Sequence, residues 1–198
     1  MFNTWGWAAD KTYRPDADGF IYNWLMLEPI ELGADVNAHT EEMEKEFFEK
    51  ELFKGQFTAT PKAGQRVTVK GTEFAWNAVE ADDAILYFDK VDNSIYLGIA
   101  YVMCEKEIAG ARLSIGSDDS SAWWVNGKEV LRVHTHRSVE RDQDQSDPVT
   151  LKAGINVLSF AVINGDGRTG VSARFLDKRD DPITKIKISL TPPVTDPK

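Results

Sequence analysis

Between residues 56 and 190 the chain carries short segments rich in β-branched and aromatic residues, with no helical periodicity between them. Turns such as Ala153-Gly154 separate these segments. The ten strand-like segments are residues 67–70, 84–88, 94–103, 111–115, 123–125, 129–134, 149–151, 156–163, 170–176 and 183–190. Short strands at regular spacing without interleaved helices are typical of an antiparallel sandwich or barrel. We therefore predict an all-β fold, an antiparallel β-sandwich.

One helical pattern precedes the strands, within residues 37–54. Its apolar residues form a single stripe among glutamates and lysines: Met43, Phe47, Phe48 and Leu52. That spacing indicates an amphipathic surface helix near residues 40–54. We expect Phe47 to anchor it on the core and Glu44 to lie on the opposite, exposed face.

The N-terminal segment is rich in aromatic residues and turn formers. Its tryptophans, Trp5 and Trp7, lie two residues apart and would share one strand face, either as a sugar-binding pair or as a patch that docks the segment. Residues 20–27 then form a further strand-like run. A length of 198 residues fits one large domain. We predict a single β-sandwich domain over residues 1–190 and an extended linker over 191–198.

Charge and composition exclude several classes of partner. The net charge is −9 and the basic residues are scattered, which excludes nucleic acid and anionic membrane surfaces as expected partners. The longest apolar run, residues 96–104, is far shorter than the roughly 20 residues of a membrane helix. The single cysteine, Cys104, lies in this run and is expected to be a buried, inert thiol.

Residues 116–131 read as a β-hairpin in which Asn126-Gly127 forms a two-residue type I′ turn. This register pairs Trp124 with Glu129 and Trp123 with Val130. The face that carries Trp124 is the more apolar one, so Trp124 is predicted to be core and Trp123 to face outward. Arg132 and His134 would then lie beside Trp123. Two alternatives stay open: a bulge that exchanges the faces, or burial of both tryptophans.

An outward tryptophan followed by polar side chains is typical of a carbohydrate-binding surface. Pyranose rings stack on aromatic rings, and sugar hydroxyls need charged or planar hydrogen-bonding partners. The predicted carbohydrate-binding residues are Trp123, Arg132, His134, His136, Arg137, Asp142 and Gln143. The alternative is a solvated loop whose arginines and aspartates pair with one another, with Arg137 held by Asp142 or Asp144. Trp24 and Trp76 lie among apolar neighbours and are predicted to be core.

No catalytic motif is present, and no catalytic residue is assigned. The sequence lacks the G-x-S-x-G, H-E-x-x-H, P-loop and G-x-G-x-x-G patterns. The serines around Asp118-Asp119 are interpreted as capping groups of a turn.

The sequence offers two metal alternatives and assigns no ligand set. The spacing His134-x-His136-x3-Glu140 resembles that of the cupin metalloenzymes, but no later histidine supplies the remaining ligand. A structural calcium ion is the other alternative, with oxygen donors such as Asp166 and Asp177. No cofactor is expected to be required.

The combination of GSDD and WWVNG, an arginine at position 137, and DPVTLKAGINVLSFAVING resembles the galactose-binding-domain-like jelly-roll. The opening DADGFIYNWLMLEPI is similar to the accessory sandwich of Bacteroidetes acetylxylan esterases, and the resemblance covers roughly residues 18–178. It implies a noncatalytic carbohydrate-binding module for a plant polysaccharide such as xylan, fused to a catalytic domain, in an extracellular, periplasmic or cell-surface location. The alternatives are a structural spacer of such an enzyme and a cupin-like metalloenzyme.

Overall fold

The computed structural model describes residues 11–33 and 41–192, and within them it contains two antiparallel sheets, one α-helix and one 3-10 helix. The strands are β1 (Thr12–Tyr13), β2 (Asn23–Leu27), β3 (Ile30–Glu31), β4 (Arg66–Val69), β5 (Thr72–Glu80), β6 (Leu86–Tyr87), β7 (Ser94–Cys104), β8 (Ile108–Asp118), β9 (Ser121–Val125), β10 (Lys128–Val133), β11 (Asp144–Gln145), β12 (Val149–Leu151), β13 (Gly154–Asn164), β14 (Gly170–Leu176) and β15 (Ile186–Ser189). The helices are α1 (Glu41–Glu49) and the 3-10 helix Gln56–Thr58.

The larger sheet is built around β7, an 11-residue strand. The sheet runs in the order β10-β9-β13-β7-β2-β5-β4. One edge of β7 pairs with β13 along its full length, and the other is shared by β3, β2 and β15. The smaller sheet runs β11-β8-β14-β6, with β12 also beside β8. The predicted antiparallel β-sandwich is confirmed.

Two apolar clusters cover the two faces of the larger sheet. Alternate residues of β7 divide between them: Tyr96, Ala100 and Val102 face the smaller sheet, while Leu97 and Tyr101 face outward. The outer cluster is covered by α1 and the 3-10 helix. Burial on both faces explains why β7 reads as a continuous apolar run rather than an alternating one. Cys104, at the end of β7, is buried as predicted.

Helix α1 begins close to the predicted position but ends five residues early, at Glu49. Phe48 is its buried anchor, with 1% of its surface exposed, whereas Phe47 is only partly buried. The expectation for Glu44 is wrong: it is 3% exposed, and its carboxylate lies 2.9 Å from His134 Nδ1. A polar partner on the sheet allows this glutamate to occupy the inner face of the helix.

Each of the ten predicted strand segments overlaps a strand of the structure. Four strands, β1, β3, β5 and β11, lie outside the predicted segments, and the longest of them is β5, which pairs with β2 and β4. The sequence does carry a signal for the β4–β5 hairpin, because Lys70 and Gly71 form a turn with positive φ between two extended runs. Trp24 and Trp76 are both buried, as predicted. Among the described residues, no helix has the length and apolar character to cross a membrane. Trp5, Trp7 and the tail from residue 193 lie outside the described residues.

The β9–β10 hairpin has the predicted turn but a bulge in its second strand. Glu129 pairs with Trp124 as predicted, whereas Leu131, not Val130, pairs with Trp123. The extra residue moves every later side chain of β10 to the face opposite the one that a regular hairpin predicts. Arg132 therefore pairs with Ala122 and lies on the same face as Trp124, beneath α1.

Candidate binding cleft

An open cleft of about 580 Å³ lies where the two sheets meet at one end of the sandwich. Four parts of the chain line it: β6, the β8–β9 connection, the segment after β10, and the β13–β14 loop. The lining residues are Tyr87, Asp118, Asp119, His136, Arg137, Ser138, Val139, Asp166 and Arg168. Asp119 and Val139 are buried and form part of the floor, while Tyr87, Asp166 and Arg168 are exposed and form part of the rim.

Gly116 allows the segment after β10 to cross close to β8. A Cβ atom at this position would lie 1.6 Å from the carbonyl oxygen of Glu140. The Gln143 side chain joins the same two elements, because its Oε1 accepts from Ser117 N at 3.2 Å and its Nε2 donates to Ser138 O at 2.9 Å. These contacts place residues 136–139 against the end of β8.

Asp119 connects three of the four lining segments. Its Oδ1 accepts from the backbone N–H of Arg137 at 3.1 Å, and its Oδ2 accepts from that of Gly165 at 3.3 Å. Its own N–H donates to the Ile163 carbonyl at 3.2 Å. His136 Nδ1 lies 3.8 Å from the same carboxylate. Asp119 is therefore held in place by the fold and presents a fixed carboxylate at the floor of the cleft.

Asp118 is joined to Asp119 by a cis peptide bond. Burial raises the pKa of its carboxyl group to about 6, and the neighbouring Asp119 carboxylate adds to the shift. A backbone hydrogen bond from Val139 opposes it. Thr169 Oγ1 donates to the backbone carbonyl of Asp118, which ties the β13–β14 loop to the floor. Two adjacent, confined carboxyl groups thus share a site that favours protonation of one of them.

The rim carries an aromatic ring. Tyr87 is 39% exposed and is the only large hydrophobic side chain of the described residues that is exposed. The guanidinium group of Arg168 lies 3.5 Å from the centroid of this ring. A polar cleft with carboxylates at its floor and an aromatic side chain at its rim offers both kinds of contact that a sugar ring uses.

The expected exposure of Trp123 is wrong. Its ring is 0% exposed and packs between the sheets, 4.8 Å from Phe160 between ring centroids. Its Nε1 donates to Ser121 Oγ at 3.1 Å. Trp124 is also buried, on the other face, 5.2 Å from the Phe57 ring. Since the larger sheet is covered on both faces, neither neighbour can face solvent, and Trp123 has no surface for a sugar ring.

Arg132 and His134 lie away from the cleft, because the bulge in β10 directs them toward α1. The Arg132 guanidinium contacts both carboxylate oxygens of Glu129, at 2.9 and 2.6 Å, and lies 3.3 Å from Glu49 of the helix. His134 faces Glu44, as described above. Both residues connect the helix to the sheet, and the structure does not bring them together with Trp123.

The remaining predicted residues divide between the cleft and its support. His136 and Arg137 line the cleft. Arg137 is paired with Asp144, which agrees with the alternative of a loop whose arginines and aspartates pair with one another. Its Nε also donates to the Ser117 carbonyl at 3.2 Å. Asp142 makes a bidentate contact with Arg174 at 2.8 and 2.7 Å. Together with the Gln143 hydrogen bonds, these contacts stabilise the loop that forms one wall.

The histidines of the cupin-like motif do not converge. They follow the end of β10, and His134 contacts α1 while His136 lines the cleft. Within residues 11–33 and 41–192, no group of three or more His, Cys, Asp or Glu side chains is placed to hold a metal ion.

Seven cleft residues are not among the predicted binding residues: Tyr87, Asp118, Asp119, Ser138, Val139, Asp166 and Arg168. A turn at Asp118-Asp119 does not by itself predict a pair of site carboxylates, since adjacent side chains in a regular strand diverge. The sequence predicts Asp166 only as an oxygen donor of the calcium alternative. No local pattern distinguishes Tyr87 or Arg168, because their proximity depends on the pairing of β6 with β14.

Among solved structures, this chain is similar to the PA14 domain of the MpAFP antifreeze protein, with 14% identity and a TM-score of 0.45, over 96% of this chain and 98% of that one. It is also similar to the β-glucosidase from Kluyveromyces marxianus in complex with glucose, with 12% identity and a TM-score of 0.32, over 55% of this chain and 14% of the β-glucosidase. No protein-family profile and no curated protein matches the sequence.

Proposed function

We propose that this protein is a noncatalytic carbohydrate-binding module that binds a plant polysaccharide, such as xylan, in the cleft between the sheets. The observation that carries the proposal is the exposed Tyr87 ring beside the confined Asp118 and Asp119 carboxyl groups. The part of the ring that Arg168 leaves exposed offers an apolar contact to a pyranose, and the carboxylates accept hydrogen bonds from its hydroxyls. His136 and Arg137 are retained from the predicted set, and Trp123 is not.

The module would act by raising the local concentration of a fused catalytic domain at its substrate. That partner, an esterase of the acetylxylan type, and an extracellular or cell-surface location belong to the same proposal. They derive from the family resemblance of the sequence.

Calcium is proposed as a secondary ligand of the cleft floor. Ca²⁺ prefers carboxylate, amide and carbonyl oxygens, and a cation would offset the repulsion between Asp118 and Asp119. The buried Asn164 side chain supplies a further observation, because its Oδ1 has no hydrogen-bond partner among the described residues. Its neighbours Ile163 and Gly165 both hydrogen-bond Asp119.

Calorimetric titration with xylan, glucan and galactan oligosaccharides tests the main proposal. Tyr87→Ala should weaken binding of the active ligand by roughly 1–2 kcal/mol, the scale of a well-placed aromatic contact. Its thermal midpoint should stay close to that of the wild type, since the ring is exposed. The matched control is Asn77→Ala, an exposed β5 residue outside the cleft, which should bind as the wild type does.

Repeating the titration with a chelator and then with added calcium tests the ion. Loss of binding with the chelator and its recovery with calcium would support the secondary ligand. If no oligosaccharide binds under either condition, the module is not a carbohydrate receptor, and a structural spacer is the better description.

A further inference from the structure

The guanidinium group of Arg168 lies over the Tyr87 ring at the rim of the cleft, with its carbon 3.5 Å from the ring centroid. Both chain neighbours of Arg168 are held by hydrogen bonds: Gly167 N donates to Asp92 Oδ1 at 3.2 Å, and the Thr169 side chain donates from Oγ1 to the Asp118 carbonyl. A guanidinium stacked on a ring keeps its N–H groups free at the edge, in the planar fork that matches a carboxylate. Stacking also reduces the conformational freedom that binding would otherwise remove.

The charge of Arg168 is not neutralised within the part of the chain that the structure describes. Among the described residues, no carboxylate lies within ion-pair distance of the Arg168 guanidinium. The guanidinium instead makes a cation–π contact with the Tyr87 ring. The other arginine of the cleft differs in this respect, because Arg137 is paired with Asp144. Arg168 is therefore the cleft's available cationic donor.

The cleft thus has acceptors at its floor and a donor fork at its rim. Asp118 and Asp119 suit the hydroxyl groups of a sugar, whereas Arg168 suits an anionic group. We propose that the glycan bound in the cleft carries a uronic acid, whose carboxylate is bound by the Arg168 fork while its ring hydroxyls face the aspartates. This inference rests on the proposed carbohydrate function and names the class of sugar.

The rim also holds a charge that opposes such a ligand. Asp166 is exposed and only two residues from Arg168, so its carboxylate would repel a uronate. The two residues should therefore affect the preference for an acidic sugar in opposite directions. An exposed ion pair is screened by salt, so the preference should also fall as ionic strength rises.

The test compares a xylo-oligosaccharide that carries one glucuronic acid branch with the same oligosaccharide lacking the branch. For the wild type we expect the branched ligand to bind about tenfold more tightly or better, the scale of a charge-assisted bidentate contact. In Arg168→Gln that ratio of affinities should fall to near one. In Asp166→Asn the ratio should rise, and in the control Asn77→Ala it should equal the wild-type ratio. Thermal midpoints establish that each variant is folded.

The outcomes separate this inference from the proposed function. If both ligands bind with equal affinity, or if Arg168→Gln keeps the preference, the uronate assignment is wrong while carbohydrate binding stands. Equal or tighter binding of a 6-sulfated oligosaccharide also overturns the assignment, because the fork would then respond to negative charge in general. Failure of both xylo-oligosaccharides and of every neutral glycan overturns the proposed function itself.

Discussion

At the scale of single residues, two adjacent tryptophans contribute to two different cores. Trp123 packs between the sheets against Trp24 and Phe160, while Trp124 packs beneath the 3-10 helix. Trp123→Ala should lower the free energy of unfolding by roughly 3–5 kcal/mol, because a fully buried ring leaves a cavity that the sheets cannot close. Urea denaturation measures this loss. A decrease below about 1 kcal/mol would contradict the inter-sheet position of the ring.

A second single-residue prediction is that the Asp118 carboxyl group makes the stability of the protein depend on pH. Its pKa is raised to about 6 in the folded protein, above its ordinary value of 3.8, so the folded state binds the proton more tightly than the unfolded state does. The resulting stabilisation is fully present below pH 3.8 and is lost as the pH rises through about 6. Asp118→Asn removes this dependence.

The thermal midpoint of Asp118→Asn should therefore rise relative to that of the wild type as the pH increases from about 4 to about 7. The scans are run with a chelator, since a bound cation would offset the repulsion between the carboxylates. A constant difference across this range would show that the Asp118 carboxyl does not carry the shift.

At the scale of elements, α1 is held on the sheet by one buried ring and by polar contacts at two positions. Phe48→Ala should lower the free energy of unfolding by roughly 3–5 kcal/mol, whereas Phe47→Ala should cost clearly less because its ring is only partly buried. Denaturation of the two variants side by side measures the difference. The reverse order would mean that the helix is rotated about its axis relative to the structure.

At the scale of the whole molecule, Cys104 reports on global unfolding. It is buried at the end of β7, between Gly154 of β13 and Ile186 of β15, so it is exposed only when these strands separate. Burial raises the pKa of its thiol to about 11, which further reduces the reactive thiolate. Thiol labelling at pH 8 should be slow and should follow the global unfolding transition in urea. Rapid labelling of the native protein would show that the β7 edge opens locally.

Local patterns in the sequence determined the class of fold and most of its elements. Apolar runs bounded by glycine turns predicted the strands, and Asn126-Gly127 predicted the hairpin turn, because these preferences depend on a few neighbouring residues. The helix was also local, since its apolar stripe lies within two turns. Burial of Trp24 and Trp76 followed from their apolar neighbours.

Tertiary structure alone decided the site. The single extra residue at Val130 reversed the faces of β10 and moved Arg132 and His134 from the expected binding surface to the helix contact. A bulge and an ion pair both depend on the residues that pack against the strand from other elements, and a local sequence pattern does not contain those residues. The cleft joins Tyr87, residues 118–119 and Arg168, which are distant in the chain and meet only because β6, β8 and β14 pair in one sheet.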